Sequence, residues 1–480
     1  MKKYLLRTFL LPLPLFFLPL SITAQTYAQQ NISFLGQWNN NPAQPAEPVY
    51  GIKYQGICGW ADTTNGREYA IIGTSTGTQF VDVTIPTNPV PCDYIPAAHG
   101  NLIWHEIKTW GKYVYIVSDD SPPNSFIIAD LSYLPDSVHI LRNDNTLFER
   151  CHTLFVDGDY LYGGSVTGAG GSFFYSMAVY DLGADPVNPP LIRHLDQDYP
   201  SIDHVHDMFV RNDTVYASCG YDGFGIYKFN GTSPFTQMAV LTSYPESGYN
   251  HSSFLTDNGN TLIFMDEVPV GKGIKSLDVS NFGNLTINQV FRSHMGNTPH
   301  NPYILGNNIL IGANYTDGVQ IFNISNPSVC VLAGYFDTDT IVNAPTYPSN
   351  MAYHGCWGAD PFLPSGNLIV SDMQNGLYVL DMSQALINGT NEIPTASMSI
   401  DAFPNPFNTN FGMSMKLDRA QRVTYTVYDN AGRIVLQGTE ALPSGVSILE
   451  VEAENLTAGI YSVKVEGETF SGSSRLVKTN

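Results

Sequence analysis

Six histidines stand at the heads of similar segments: His105 (HEIKTW), His152 (HTLFVDG), His206 (HDMFVRN), His251 (HSSFLTD), His300 (HNPYILG) and His354 (HGCWGAD). A neutral imidazole offers a nitrogen lone pair, so several brought to one point would hold a divalent metal such as zinc. The same positions have a purely structural use, in which each ring hydrogen-bonds a neighbouring strand or loop and serves the repeat itself. His204 and His294 lie beside this series and fit either use. Acidic turns also recur, at Ser118-Asp119-Asp120, Tyr221-Asp222-Gly223, Met265-Asp266-Glu267, Thr316-Asp317-Gly318 and Ser371-Asp372. Calcium would need about 6 to 8 oxygens. None of these segments has the spacing of a calcium loop, whereas Asp supporting its own turn accounts for them simply.

Other chemistry is thinly represented. There is no GxSxG elbow, no HExxH and no phosphate-binding loop, so no catalytic residue is assigned. Trp60, Trp104, Trp110, Trp357, Tyr221, Tyr249 and Tyr315 would serve as a binding platform or as packing between repeats. The cysteine count is even, at six, and disulfides are permitted in an exported chain. The pairs nearest in sequence are Cys58 with Cys92 and Cys330 with Cys356.

The histidines are positioned by a repeat with a second, independent mark. Each copy closes on an apolar run ending in Asp or Asn, a hydrophobic residue and a small one: QFVDVT, IIADLS, AVYDLG, IYKFNG (a Lys at the Asp position), KSLDVS, QIFNIS and YVLDMS. The two marks agree on seven copies, counting a first that lacks the His and carries Cys58-Gly59-Trp60 instead. The closing positions are 45 to 58 residues apart, the length of a four-stranded propeller blade. An open solenoid is the alternative, but no copy resembles the atypical cap that a linear stack needs. Residues 31–387 are therefore expected to form a seven-bladed β-propeller, with the heading histidines at or near its channel.

Around this core, residues 1–24 have a basic start, an apolar run from Phe9 to Leu20 broken by Pro12, Pro14 and Pro19, and Ile22-Thr23-Ala24 before Gln25. That is the pattern of a secretory signal peptide, too short to span a bilayer, and no other stretch is long and apolar enough, so no transmembrane segment is expected. Removing its three basic residues takes the formal charge from −21 to −24, which excludes nucleic acid or an anionic lipid surface as a partner for want of a basic footprint. Residues 388–399 read as a polar linker. Residues 400–480 carry about seven short alternating strands, enough for a small antiparallel β-sandwich. The fold class is all-β.

Two resemblances follow from quoted motifs. AFPNPFN at Ala402–Asn408 and LTAGIYSVKV from Leu456, with Pro404, Asn405, Pro406, Gly459 and Tyr461 as the motif residues, resemble the type A C-terminal sorting domain of the type IX secretion system. Phe403 stands where that family often has Tyr. The resemblance implies a Bacteroidota-type cell, Sec-dependent export, the type IX machinery as a partner, and display on the outer-membrane surface or release outside the cell. REYAIIGTSTGTQFVDVTIPTNPV (Arg67–Val90) and KYVYIVSDD (Lys112–Asp120) resemble the LVIVD-type repeats of choice-of-anchor B surface proteins over about Gly51 to Gln384. That family supplies shape and location and no catalytic residues. The expected function is a surface-displayed binding module for an extracellular glycan, peptide or protein. A metal-dependent hydrolase or lyase using calcium or zinc at a His-lined site is the alternative.

Overall fold

Runs such as Tyr113–Ser118 (YVYIVS), Leu368–Asp372 (LIVSD) and Ile309–Ala313 (ILIGA) are rich in β-branched and aromatic residues and end at Gly, Asp or Asn, so they form short strands joined by tight turns. The computed structural model describes residues 27–40, 44–46, 50–231, 233–293, 296–339, 353–390, 396–397, 400–417, 420–429, 434–467 and 470–479. The signal peptide at 1–24, His294 and most of the linker lie outside the described residues. What is described of the linker span opens with the end of a short helix, Ser383–Thr390.

Among the described residues, seven antiparallel sheets precede residue 382. Their innermost strands are Tyr54–Asp62, His105–Trp110, Thr153–Asp157, Asp207–Arg211, Tyr249–Leu255, Asn301–Leu305 and Cys356–Asp360. In each of the first six sheets the next three strands follow in sequence order outward. The seventh takes its outermost strand, Ser33–Trp38, from the start of the chain, paired with Gly376–Asp381. Gln29–Gln30 adds an edge to the sixth.

Second and third strands are buried on both faces, as in Ile309–Ala313 and Val319–Asn323, while outermost strands such as His139–Asp144 are largely exposed. The cause is face-to-face packing. Each pair of consecutive sheets encloses its own apolar cluster, for example Val114, Ile116 and Ile127 with Tyr69 and Phe80 between the first and second. The last sheet packs on the first through Ile369, Leu377 and Val379 against Ile57, Ala70 and Ile72. The cycle of sheets therefore closes, and the all-β chain has a β-propeller fold.

Two local devices recur with the sheets. The pairing of the third strand with the fourth in all seven carries a register shift, as between Phe80 and Val81 or Phe34 and Gly36, and such bulges increase twist toward an edge. In five of the seven repeats the closing Asp or Asn accepts a hydrogen bond from the amide two residues on: Thr84 on Asp82, Ser132 on Asp130, Ser280 on Asp278, Ser325 on Asn323 and Ser383 on Asp381. The second sequence mark is thus an Asx turn.

After residue 400, a five-stranded and a three-stranded sheet share one apolar core, with Met413, Leu449 and Val451 from one and Val423, Val463 and Leu476 from the other. One edge pairing, Ala396–Ser397 with the last strand, is parallel. Asn405 accepts from the Val477 amide and donates to the Arg475 carbonyl, and Tyr461 donates to the Thr457 carbonyl. Asn405 and Tyr461 thus hold the tail's own strands in place.

No helix among the described residues is long and apolar enough to cross a membrane. The proposed disulfides are corrected: all six cysteines are free. Cys58 lies on the innermost strand of its sheet and Cys92 on the outermost, three strand spacings apart. At roughly 4.8 Å per spacing this is far beyond the reach of a disulfide, about 7 Å between Cα atoms. Cys330 precedes the outer strand of the sixth sheet while Cys356 opens the innermost strand of the seventh.

Deleting residues 27–38 strips the outermost strand from the seventh sheet and bares Gly376–Asp381. At about 1 kcal/mol per lost backbone hydrogen bond, we expect thermal denaturation of the truncated chain to show a melting point at least about 10 °C lower. An unchanged melting point contradicts closure by this strand.

Candidate functional site

The innermost strands bring their leading residues to one axis. His152, His206 and His300 immediately precede Thr153–Asp157, Asp207–Arg211 and Asn301–Leu305. His251 is the residue skipped by the register shift between Asn250 and Ser252, and a bulge of this kind re-aims a side chain. The four rings stand in a row, with centroids 4.2 Å apart from His152 to His206 and 4.3 Å at each of the next two steps. Trp357 continues the row at 4.9 Å from His300, Trp104 follows at 5.7 Å, and His152 is 6.2 Å from Trp104. Six rings close a circle.

Hydrogen bonds from neighbouring sheets fix how three of these imidazoles face. His206 Nδ1 meets the His251 carbonyl at 3.0 Å, and His300 Nδ1 meets the Trp357 carbonyl at 2.6 Å. A carbonyl only accepts, so each Nδ1 carries the proton and each Nε2 keeps its lone pair. His152 Nδ1 lies 3.0 Å from Asp119 Oδ2. His251 Nδ1 is buried against the His300 main chain without a well-formed hydrogen bond. Burial, then the neighbouring imidazoles, hold His206 and His251 well below the usual histidine range, and burial takes His300 down to about 3. All three rings are neutral at pH 7.

Glu267 faces the same point from the second strand of the fifth sheet, Thr261–Val268. Its Oε1 accepts from the Tyr315 hydroxyl at 2.6 Å, and its Oε2 is 3.9 Å from His251 Nε2. Burial raises its carboxyl above the usual range against that hydrogen bond. Tyr315 has φ of 45°, a conformation few bulky residues adopt. Its ring lies 4.4 Å from that of His300, so one strained residue contacts both a carboxylate and an imidazole of the site. Ligand atoms of His251, Glu267 and His300 all lie within 4.8 Å of one another.

These groups line an axial cavity of about 630 Å³ that continues along the inner strands to Lys108, Phe254, Tyr303 and Asp360. Lys108 is ion-paired with Glu106. Burial, then Glu106, raises Asp207 to about 6. At the His end, Tyr221 is exposed and packs edge-on against Tyr249, which shares a 2.8 Å hydrogen bond with His204.

Two of the six heading histidines do not join the ring. His105 packs against Gly73 and meets Thr78 Oγ1 at 3.1 Å through Nε2, and Trp104 takes its place at the axis. His354 meets Asp339 at 3.0 Å, and the seventh sheet presents Trp357 to the His300 ring nitrogen instead. In the first copy Gly56 faces the His105 carbonyl, where a Cβ would come within 2.3 Å, so no side chain fits. The acidic-turn reading is corrected at Asp266 and Glu267, which lie within a strand, with Asp266 in a fully buried 2.5 Å ion pair with Lys275. Asp119 and Asp120 hold His152 and the amides of Ile103 and Trp104. Glu106, Lys108 and Asp207 were not singled out by sequence; polar residues at alternate positions of HEIKTW were the available signal.

The geometry defines a β-propeller with a His- and Trp-ringed axial cavity. Residues 401–479 match the secretion system C-terminal sorting domain. This tail indicates export to the cell surface or extracellular space. No curated protein matches the chain. Among solved structures it is similar to the WD40 β-propeller domain of Doa1, at 9% identity over 73% of this chain and 97% of that one with a TM-score of 0.48. A putative 6-phosphogluconolactonase from Bacteroides uniformis is similar at 13% identity, 83% and 100% coverage and a TM-score of 0.47. PorZ, a surface component of the type IX secretion system of Porphyromonas gingivalis, is similar at 12% identity, 86% and 64% coverage and a TM-score of 0.33.

Burial lowers His105 to about 4. Its folded value lies below the unfolded value of about 6.5, so the stability it contributes is complete above pH 6.5 and is lost as pH falls from there to 4. The raised carboxyls of Asp207, Asp337 and Asp372 act in the opposite sense, and comparison with a variant cancels them. We expect denaturant unfolding to show His105→Gln losing about 2 kcal/mol less than the natural chain between pH 7 and pH 5. Equal losses contradict a buried neutral His105.

Proposed function

We propose that this chain is a secreted, surface-displayed binding module whose axial cavity receives the end of an extracellular glycan or peptide. In this reading residues 31–387 are a seven-bladed β-propeller related to choice-of-anchor B proteins. A signal peptide at 1–24 starts export, and a β-sandwich at 400–480 addresses the chain to the type IX machinery. Seven sheets packed in a closing cycle support the blade count, and two sheets around one core support the sandwich. The LVIVD-like segments support the relationship.

The axial cavity carries the functional reading. Its volume suits a small ligand or the end of a chain. Trp104, Trp357, Tyr249 and Tyr353 offer flat apolar faces, and rings of this kind stack on sugars or on peptide side chains. His152, His206 and Glu106 supply directional polar contacts beside them. A metal-dependent hydrolase or lyase is the second reading, favoured by the approach of His251, Glu267 and His300.

Glycan and peptide arrays probed with the full chain test the proposal. We expect retention on a restricted set of one array, weakened at least about tenfold by Trp104→Ala or Tyr249→Ala, as loss of one stacking anchor costs more than about 1.4 kcal/mol. Retention on neither array, or retention indifferent to both substitutions, contradicts it. Turnover of the retained ligand moves the conclusion to the second reading.

A further inference from the structure

We propose that His251 Nε2, His300 Nε2 and Glu267 Oε2 are the protein ligands of one divalent transition-metal ion of the zinc type, with its remaining coordination positions open to the axial cavity. This goes beyond the binding reading and does not depend on which ligand, if any, enters the cavity.

The first support is the donor set. Two imidazoles and a carboxylate converge, with ligand atoms within 4.8 Å of one another. Bonds of about 2.0–2.2 Å place neighbouring ligand atoms of one ion roughly 3.4 Å apart, so closure by little more than 1 Å completes the site. Imidazole nitrogens suit zinc and its neighbours and are poor ligands for calcium or magnesium, which take oxygen. Three protein ligands with a free position is the pattern of an open metal site rather than a structural one.

The second support is orientation. Metal-bound imidazoles commonly anchor their other nitrogen on a carbonyl or carboxylate, which fixes the tautomer. Of the two imidazole ligands His300 does this on the Trp357 carbonyl, and His206, on the far side of His251 in the ring, does it on the His251 carbonyl. Glu267 is oriented in the same manner by the Tyr315 hydroxyl on its other oxygen.

The third support is a contrast within the same fold. Histidines outside the ring spend Nε2 itself on protein partners: His105 bonds Thr78 and His204 bonds Tyr249 through Nε2. Among the described residues no protein group hydrogen-bonds Nε2 of His152, His206 or His300, although their rings line the cavity. If packing alone were required, phenyl rings would fill the circle without exposing facing lone pairs. A cation between His251, His300 and Glu267 gives the lone pairs at that point a partner.

Metal uptake by the full chain, stripped with a chelator and offered Zn²⁺ alone, tests the proposal, with Co²⁺ as a spectroscopic probe. We expect about one equivalent bound, a raised melting point and visible Co²⁺ absorption of a low-coordinate nitrogen and oxygen site. Glu267→Gln, nearly isosteric, and His251→Ala should each weaken uptake at least about 100-fold, while His105→Gln and His354→Ala bind as the natural chain does. Circular dichroism verifies folding, and Glu267→Gln alone decides if His251→Ala does not fold. A folded chain that takes up neither Zn²⁺ nor Co²⁺, or uptake unchanged in Glu267→Gln, overturns the proposal. Array retention is unaffected by either result, so the two readings fail separately.

Discussion

A sheet with two apolar faces has no stable edge position in a stack, and that constraint organises this molecule. Every sheet before residue 382 buries both faces against its neighbours, and the last finds its partner in the first through Ile369, Leu377 and Val379 against Ile57, Ala70 and Ile72. At about 25 cal/mol per Å² of apolar surface buried, an open end would forfeit one whole interface, so closure and stability are the same requirement. The strand Ser33–Trp38 makes closure a matter of backbone hydrogen bonds as well, since it comes from the start of the chain and completes the final sheet.

The axial ring is a consequence of that closure. Equivalent positions of the innermost strands meet at one place, and the hydrogen bonds that orient them run between sheets, from His206 to the carbonyl of His251 and from His300 to that of Trp357. Buried imidazoles kept neutral are costly to protonate, so the site presents lone pairs, with one carboxylate, Glu267, held by a strained Tyr315. The ion-paired Glu106 and Lys108 add a charged pair to the wall of the same cavity. The sorting tail adds an address: this apparatus works outside the cell.

Much of this was legible in the chain. The Asp or Asn closing most repeats marks a turn that uses the side chain's own oxygen, a local rule that sequence displays directly. The His series marked the inner strands for the same reason, yet it could not say which way a ring turns. His105 rotates toward Thr78 because Trp104 occupies the axis, and His354 falls three residues ahead of Trp357. The partner of His105, Thr78, lies on another sheet, and that of His354, Asp339, follows the outer strand of the sixth. Glu267 reads in the sequence as part of an acidic turn, whereas it sits in a strand and meets His251 on the paired strand of the same sheet. The cysteine pairs failed because proximity in sequence says nothing about rank across a sheet, and Cys58 and Cys92 stand at opposite edges of theirs.

The account turns on imidazoles anchored through Nδ1 by the neighbouring sheet and open at Nε2. Long-range ¹H–¹⁵N correlation spectra of histidine-labelled protein at pH 7 report tautomer and charge for each ring. The account expects His206 and His300 as neutral rings protonated at Nδ1; rings protonated at Nε2, or charged at that pH, would contradict it.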